Sequence, residues 1–217
     1  LMSNSKQQSL VVVKSNDIIN ASFRLSVLEQ RLLLGCIAKL DSQSEVLEED
    51  SFTISASEML EIQGLSSSEM DAYRDLKIAV SSLYDRSITF SDNSNHLGTV
   101  RWVSRVDYYQ GEGRVSLRFT KEVLCYLSQL KESFTKYKLV SVSQFRSAYS
   151  FRIYEMLAQY LKIGKREISI DEIRLALCLE DRYEKVAELK RNVIDVAIRD
   201  INDFSDLNVS YEQKKRG

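Results

Sequence analysis

The chain has 217 residues, of which 44% are hydrophobic, and it carries 30 basic and 31 acidic side chains with one histidine. The length suits one large or two small domains, the apolar content supports packed cores, and the near-zero net charge excludes a bulk polycation. No apolar run reaches membrane-spanning length and no secretory signal pattern opens the chain. Three widely separated cysteines suit reduced thiols in a cytosolic protein.

The charge is uneven along the chain. Residues 41–61 hold acidic side chains and no basic ones, whereas most of the charged side chains in residues 131–166 are basic. Local basic zones within a balanced total are compatible with a DNA-binding protein that has a second face for other contacts.

The first 130 residues alternate short strand patterns with capped helices. Ser26 and Glu29 form a capping box at the start of an apolar-striped helix, and Ser66 with Glu69 predicts another that reaches about residue 84. The other predicted elements are strands at 10–14, 52–54, 87–91, 99–107 and 115–119, a helix at 57–63 that Gly64 ends, a turn-rich wing tip at 92–98, and a helix that Thr120 begins.

Residues 131–142 link the two halves, and the apolar side chains near the end of this segment predict a packed rather than a floppy linker. A helical pattern follows at 143–162. Ser150 is the expected cap of its second part, and Gly164 is expected to end it.

From residue 166 onward the order is strand, helix, longer helix and strand. Residues 166–168 predict a short strand, Ser169 and Glu172 form a third capping box, and a bend near 180–181 precedes the long amphipathic helix. Residues 208–211 predict the first strand of a β-ribbon. The apolar stripe of the long helix contains Val186, Val193, Ile194, Ala197 and Ile201, and its opposite face carries Glu188, Arg191, Asn192, Asp195 and Arg199. This order of elements is typical of a winged helix-turn-helix.

An internal repeat relates the two halves. Residues 54–59 resemble residues 168–173, and Leu65 lies at the same offset as Leu179. A period this long fits two domains of one fold rather than a solenoid. We therefore predict an α+β chain of two tandem winged-helix domains related by internal repeat: a disordered N-terminus at 1–9, a first domain at 10–130, the linker at 131–142 and a second domain at 143–217.

Three segments in order resemble plasmid replication initiators of the iteron-binding Rep_3 family. They are residues 12–26 with 29–32, residues 149–157, and residues 163–169 with 189–195 and 201–202. The resemblance covers nearly the whole chain. Family members continue past the first wing strand, so we expect the wing that ends at residue 217 to be truncated.

The resemblance implies a division of labour in a bacterial cytoplasmic protein that binds DNA and starts replication. The second domain would be the main reader of origin iterons. The first would mediate homodimerisation and add auxiliary DNA contacts. Monomers would act at iterons, whereas dimers would bind the operator and repress the protein's own gene. The host initiator and the replicative helicase are the expected partners.

Candidate DNA contacts lie near the predicted recognition helices and wings. Arg and Asn suit guanine and adenine edges, whereas lysines suit phosphates. In the second domain the candidates are Lys165, Arg166, Lys185, Lys190, Arg191, Asn192, Arg199, Lys214, Lys215 and Arg216. In the first domain they are Arg74, Lys77, Arg101 and Arg105. A solvated surface is the competing interpretation of the helix face and of the four first-domain residues. Lys190 lies close to the apolar stripe, so its stem is expected to follow the domain edge.

Catalysis has little support in the sequence. His96 is the only histidine and falls in the predicted wing tip, no Cys or His spacing fits zinc, and no phosphate-binding glycine loop is present. Tyr108 and Tyr109 lack the histidine cluster that tyrosine-based strand cleavage requires. We therefore expect no enzymatic activity, no cofactor and no metal.

Two other functions remain open. One is a winged-helix transcription regulator that never opens an origin. The other is a structural or adaptor protein whose winged helices bind protein. Binding to repeated DNA sites separates the first two functions from the adaptor, and origin melting separates an initiator from a regulator.

Overall fold

The structure is a computed structural model that describes residues 10–63, 68–91 and 97–214. Its elements alternate helices with short strands. The first half contains β1 (Val11–Ser15), α1 (Asn16–Asn20), α2 (Val27–Ile37), β2 (Phe52–Ser55), α3 (Ala56–Gln63), α4 (Glu69–Tyr84), β3 (Ser87–Ser91), β4 (Leu97–Arg101), β5 (Val103–Tyr109), β6 (Arg114–Phe119) and α5 (Lys121–Leu124). The second half contains β7 (Phe134–Lys138), a 3-10 turn (Leu139–Ser141), α6 (Ala148–Ala158), α7 (Ile170–Ala176), α8 (Val186–Leu189), a π turn (Lys190–Ile194) and α9 (Asp195–Phe204).

An antiparallel sheet with strand order β2-β6-β5 packs against the helices of the first half. Its inward residues, such as Ile54 and Val115, are fully buried because alternate residues of a strand point to one face. Helix α2 approaches closely at Gly35, where an added Cβ would lie 2.9 Å from the Cδ1 atoms of Ile54 and Ile62. The glycine therefore sets the distance between α2 and the elements beneath it.

The strand predicted at 99–107 is wrong in one respect, because Trp102 divides it into β4 and β5. The Trp102 side chain is fully buried and packs edge-on against Phe23, with ring centroids 5.0 Å apart. Its backbone N–H donates to Arg86 O and its carbonyl accepts from Thr120 N. Because the indole is buried, the chain changes direction at Trp102 and the strand pairing is interrupted there. Strand β4 therefore pairs with β3, whereas β5 pairs with β6.

Two predicted caps are corrected by the structure. Helix α4 is capped by Ser68, whose hydroxyl accepts from Asp71 N at 3.1 Å, whereas Ser66 lies outside the described residues. Helix α6 is capped by Ser147 and not by Ser150, which lies inside the helix and is fully buried. Neighbouring serines offer equivalent local caps, so tertiary contacts decide which one is used.

The segment interpreted as a linker contains a paired strand. Strand β7 lies antiparallel to β1, with Val12 opposite Tyr137. Because β1 opens the described chain and β7 follows the first-half sheet, this pairing ties the start of the first half to the beginning of α6.

A buried charged cluster lies beneath this pairing. Lys14 Nζ donates to Glu155 Oε1 at 2.6 Å, and both side chains are 1% exposed. The Tyr137 hydroxyl donates to the same oxygen. Arg152 Nη1 lies 3.5 Å from the other oxygen, Glu155 Oε2. These contacts connect β1, β7 and α6 where the two halves of the chain meet.

The strands predicted at 166–168 and 208–211 are wrong, since no strand follows β7 in the described part of the chain. A strand requires a hydrogen-bonded neighbour. At Val209 that role is taken by the side chain of Asn202, whose Oδ1 accepts from Val209 N at 2.7 Å and whose Nδ2 donates to Val209 O at 2.9 Å.

The internal repeat is visible as two equivalent helix starts. The Ser55 hydroxyl accepts from Glu58 N while the Glu58 carboxylate accepts from Ser55 N, and Ser169 and Glu172 do the same at α7. Both helices precede a longer helix, α4 in the first half and residues 186–204 in the second. None of the helices in the described ranges has the length and apolar character needed to cross a bilayer.

Candidate nucleic-acid interface

The turn between α7 and α8 is held by one arginine. Arg174 Nη2 donates to Tyr183 O at 2.7 Å and to Glu184 O at 2.9 Å. Within the turn, Cys178 and Tyr183 adopt positive φ values of 51° and 53°. Positive φ is costly for residues other than glycine, so the Arg174 contacts stabilise a backbone path that local propensity does not favour. That path sets the angle at which the following helix leaves α7.

The long helix, residues 186–204, buries one apolar stripe. Leu189, Val193, Ala197 and Ile201 are fully buried and Ile194 is 9% exposed. The predicted stripe is therefore confirmed at four positions, while it omitted Leu189. The helix continues through the π turn, which inserts part of an extra turn between its two α segments.

A buried carboxylate fixes the long helix to α6. Asp200 Oδ2 accepts from Arg146 N at 2.8 Å, from Ser147 N at 3.0 Å and from the Ser150 hydroxyl at 2.7 Å. The backbone donors lie at the start of α6, where free N–H groups favour a negative charge. Asp200 therefore holds both the axial position and the rotation of the long helix.

The fixed rotation exposes an alternating charged face. Arg191 and Arg199 are exposed, and no described residue is hydrogen-bonded or ion-paired to either guanidinium. Asp195 lies between them at four-residue spacing and accepts from the Tyr211 hydroxyl at 2.6 Å. Lys185, at the start of the helix, is also exposed. This face presents donors and one acceptor in a row of about two helical turns, which suits base edges in a major groove.

The sequence matches two family descriptions over most of its length. Residues 11–158 match the family described as Initiator Replication protein, WH1, and residues 169–217 match Initiator Rep protein, WH2. The chain belongs to the Rep3 family of replication initiators. The family resemblance and the two winged-helix domains predicted from the sequence are thereby confirmed.

Individual relatives agree with the family match. A "Replication initiation protein" of Escherichia coli is 30% identical over 213 residues, which cover 95% of this chain and 66% of the relative. The "PI protein" of Escherichia coli is 23% identical over 229 residues, covering 89% of this chain and 73% of the relative. This chain thus spans slightly under two thirds of the length of the first of these relatives.

A solved structure has the same fold. The crystal structure of Pi initiator protein in complex with iteron DNA is similar over 97% of this chain and 94% of that chain, with a TM-score of 0.79 and 21% sequence identity. The shared architecture includes both winged-helix halves in one arrangement. The family is described by initiation of replication, not by a catalytic activity.

Four predicted contact residues of the second half have partners within the protein. Lys190 Nζ donates to Gln213 Oε1 at 3.2 Å and lies 5.4 Å from the Tyr211 ring centroid, and Lys214 is paired with Glu167. The remaining two are Asn192 and Arg166. Asn192 Nδ2 donates to Glu188 O at 2.9 Å, one helical turn back. That bond uses one of the two Nδ2 hydrogens, so the other hydrogen and Oδ1 are left for an adenine edge.

The Arg166 side chain packs mainly against other residues of the protein. Its Nη1 donates to Met156 O at 2.6 Å, and its guanidinium lies over the Tyr160 ring at 4.7 Å. Burial lowers the pKa of Arg166. Lys165, its neighbour, is exposed, whereas Lys215 and Arg216 lie outside the described residues, as does His96.

The four first-half candidates also lie close to partners of their own. Arg74 Nη1 is 3.0 Å from Asp71 Oδ1, Arg101 Nη1 is 3.3 Å from Asp85 Oδ1, and Arg105 makes a bidentate pair with Asp107. Lys77 lies 4.9 Å from the ring centroid of Tyr73. These are exposed pairs of the kind that contributes little to stability, so they also dissociate at low cost.

No group of three or more metal-ligating side chains comes together in the described ranges. Tyr108 is partly exposed on β5, and the Tyr109 ring is covered by the Arg114 guanidinium at 4.2 Å.

Several charged residues that matter to the architecture were missed at the sequence level. Lys14, Arg152, Glu155 and Asp200 are each at most 7% exposed. Their partners lie up to 141 residues away along the chain, so no local spacing indicates them. The one available signal was that Arg152 and Glu155 lie on a strongly apolar helix, where charges are expected to be paired.

Proposed function

We propose that this chain binds repeated sites in the origin of a plasmid and initiates replication without catalysing a reaction. The observation that carries the proposal is the exposed face of Arg191, Asp195 and Arg199 on a rigidly held helix of a Rep3-family winged-helix domain. A helix of this kind reads bases with side chains near its N-terminal half. Arg191 lies in that half.

The second half is proposed to be the main reader of DNA. Arg191, Arg199 and Lys185 are exposed without described partners, so they can contact DNA without breaking internal bonds. The first half would add auxiliary phosphate contacts through Arg74, Lys77, Arg101 and Arg105. These residues must first exchange a carboxylate or ring partner for a phosphate, which makes their contribution smaller.

Further parts of the proposal come from the relatives. The Pi initiator protein was crystallised with iteron DNA, which supports double-stranded origin repeats as the ligand. A homodimer formed through the first domain that represses its own gene, contacts with a host initiator and a replicative helicase, and a location in the bacterial cytoplasm are proposed with it. A winged-helix transcription regulator that does not open an origin is the alternative.

The direct test is binding of the purified chain to duplexes from the DNA that flanks its gene, measured by fluorescence anisotropy at several salt concentrations. Log K should fall with log salt by about 0.9 for each phosphate contact, and repeats should bind more tightly than scrambled duplexes. Equal affinity for both, or no salt slope, would refute the proposal.

Two arginine variants test the assignment of the reading face. Arg191→Ala should reduce discrimination between repeat and scrambled duplex by about 1–3 kcal/mol, the value of one good arginine–guanine pair. Arg74→Ala removes the same charge from a residue paired with Asp71, and the ratio of affinities should remain the same. A retained ratio in Arg191→Ala would place base recognition elsewhere.

Origin opening separates the initiator from the regulator. On a supercoiled plasmid carrying the repeats, permanganate should modify unpaired thymines only when the chain and the host initiation proteins are present. The same mixture with Mg²⁺ and ATP should contain no nicked strands that depend on Tyr108 or Tyr109. Repeat binding without opening would favour the regulator.

A further inference from the structure

A cavity of about 500 Å³ lies between the start of α2, the start of α6 and the end of α7. We call it the arginine cavity because Arg24, Arg86 and Arg152 all line it, together with Gln30 and the ring of Phe23. Its volume falls within the range of small-molecule sites and exceeds what a single ion requires. It lies apart from the exposed face of the long helix.

The floor of the arginine cavity holds an unpaired donor. Arg152 is 2% exposed, and its Nη2 donates to Ala21 O at 2.8 Å. Its Nη1 is ion-paired with Glu155 Oε2 at 3.5 Å without a hydrogen bond, and its Nε has no acceptor among the described residues. Its guanidinium lies 3.6 Å from the Phe23 ring centroid, and burial lowers the pKa of Arg152 to about 10. A buried donor of a charged group is costly when unpaired, so the free Nε–H favours an anionic acceptor.

The wall holds an unpaired acceptor. Gln30 is fully buried, and its Nε2 donates to Ala148 O at 2.9 Å. That bond fixes the orientation of the amide, because exchanging its N and O atoms would put two acceptors together. Gln30 Oε1 is left without a donor among the described residues.

The rim adds two further cations. Arg24 is exposed, and no described residue is hydrogen-bonded to it. Arg86 Nε donates to Glu29 Oε1 at 2.8 Å, and the two terminal nitrogens of Arg86 make no hydrogen bond to described residues. Glu29 is paired with Arg86 and Glu155 with Arg152, so the excess positive charge of the cavity comes from Arg24.

We propose that the arginine cavity binds a small phosphate ester that also carries hydroxyl groups, such as a sugar phosphate or nucleotide. The phosphate accepts from the guanidiniums, and a hydroxyl of the ester donates to Gln30 Oε1. A phosphate diester of the DNA backbone has no hydrogen to donate, so DNA does not satisfy the glutamine. The site is independent of origin binding and can be tested without DNA.

The test follows the arginine Nε–H signals of the full ¹⁵N-labelled chain by NMR during titration with ribose 5-phosphate, methyl phosphate and adenosine. Ribose 5-phosphate should shift the Arg152 Nε–H signal with saturation and bind more tightly than methyl phosphate, which lacks the hydroxyls. Adenosine, which lacks the phosphate, should leave the signal unchanged. A non-origin DNA duplex in a fourth titration should leave it unchanged as well.

Variants at the rim avoid disturbing the buried residues. Arg24→Ala should weaken ribose 5-phosphate binding about fivefold because one charge-assisted hydrogen bond is lost at a partly solvated position. Arg86→Gln, which retains a donor for Glu29, should weaken it as well. Lys131→Ala removes an exposed charge that does not line the cavity and should have no effect.

The proposal is overturned if ribose 5-phosphate causes no saturable shift, or if methyl phosphate binds as tightly, which would remove the role of Gln30. It is equally overturned if the duplex produces the same Arg152 shift, which would assign the cavity to the DNA backbone. Equal weakening by Arg24→Ala and Lys131→Ala would show that binding depends only on the overall charge of the protein, which also overturns the proposal.

Discussion

The buried pair of Lys14 and Glu155 gives the sharpest prediction about stability. Lys14 Nζ and Glu155 Oε1 are 2.6 Å apart, and each side chain is 1% exposed. Lys14→Met would leave a buried carboxylate that keeps only the Tyr137 hydroxyl and the more distant Arg152. Removing one partner of a buried pair typically costs about 3–5 kcal/mol. Because Glu155 retains these two contacts, we expect the free energy of unfolding to fall by about 3 kcal/mol.

The reverse substitution should be more damaging. Glu155→Leu would leave Lys14 and Arg152 as buried cations and the Tyr137 hydroxyl without its acceptor, so we expect about 5 kcal/mol. The double variant Lys14→Met/Glu155→Leu removes one of those cations. It should therefore have a larger free energy of unfolding than Glu155→Leu alone. If the two residues contributed independently, the added Lys14→Met substitution would lower that free energy further.

The assay is urea unfolding followed by far-UV circular dichroism and by the fluorescence of Trp102, the one tryptophan. The exposed pair of Lys39 and Glu58, also 2.6 Å apart, supplies a matched control, and Lys39→Met should cost under about 1 kcal/mol. The reasoning is refuted if Lys14→Met costs no more than the control, or if the two single costs add within about 0.5 kcal/mol in the double variant.

Three further predictions follow from other buried or paired groups. At pH 8 a thiol reagent should label exposed Cys125 quickly and Cys36 only after unfolding, because burial raises the pKa of Cys36 to about 12; equal labelling rates would contradict this. Asp200→Ala should cost about 2–4 kcal/mol in urea unfolding, since three donors at the start of α6 lose their acceptor; a cost under about 1 kcal/mol would contradict their shared dependence on Asp200. Desolvation and the Asp195 hydrogen bond raise the pKa of Tyr211 to about 12, so this contact should stabilise the fold below pH 10 and lose that effect as pH rises through 12. In ¹³C NMR titrations Asp195→Asn should lower the pKa of Tyr211, and an unchanged value would exclude the contact.

Helix starts and buried stripes could be predicted from local sequence because their physical causes are local. The capping boxes at Ser26–Glu29 and Ser169–Glu172 both form. A hydroxyl and a carboxylate three residues apart satisfy two otherwise free N–H groups whatever lies elsewhere. Ser150 failed as a cap because its hydroxyl bonds to Asp200, fifty residues away, and that contact is invisible to a local pattern.

The strand predicted at residues 208–211 shows a different limit of prediction from sequence. Residues 208–211 have the β-branched and aromatic pattern of a strand, yet Val209 pairs with the side chain of Asn202. Strand propensity describes a fit to a neighbouring strand more than a backbone preference, so the pattern cannot supply the neighbour. The division of residues 99–107 at Trp102 has the same origin, since burial of one large side chain outweighs continuation of a ladder.

The candidate reading face was more predictable than its individual contacts. The 3.6-residue period assigns Arg191 and Arg199 to the side opposite Val193 and Ala197, and both arginines are exposed. The partners of Arg105 and Arg74 were also within reach of sequence reasoning. Asp107 lies two residues along a strand and Asp71 three residues along a helix, so each shares a face with its arginine. By contrast, the hydrogen bond from Asn192 to Glu188 O depends on the helix geometry through the π turn.

The charge distribution explains how the proposed DNA reader could select its site. The net charge is −1, and the candidate arginines of the first half, Arg74, Arg101 and Arg105, are paired with carboxylates, so long-range attraction to any duplex should be weak. On the long helix, Asp195 lies between Arg191 and Arg199 and is held by Tyr211. A carboxylate in that position would repel phosphates, and it could accept a further hydrogen bond from a base edge such as the amino group of cytosine. On a non-matching sequence the proposed reader would therefore lose two kinds of contact, because the arginines would find no guanine and Asp195 would find no base donor. Specificity would then arise largely from rejecting other sequences, which suits a protein with little general affinity for DNA.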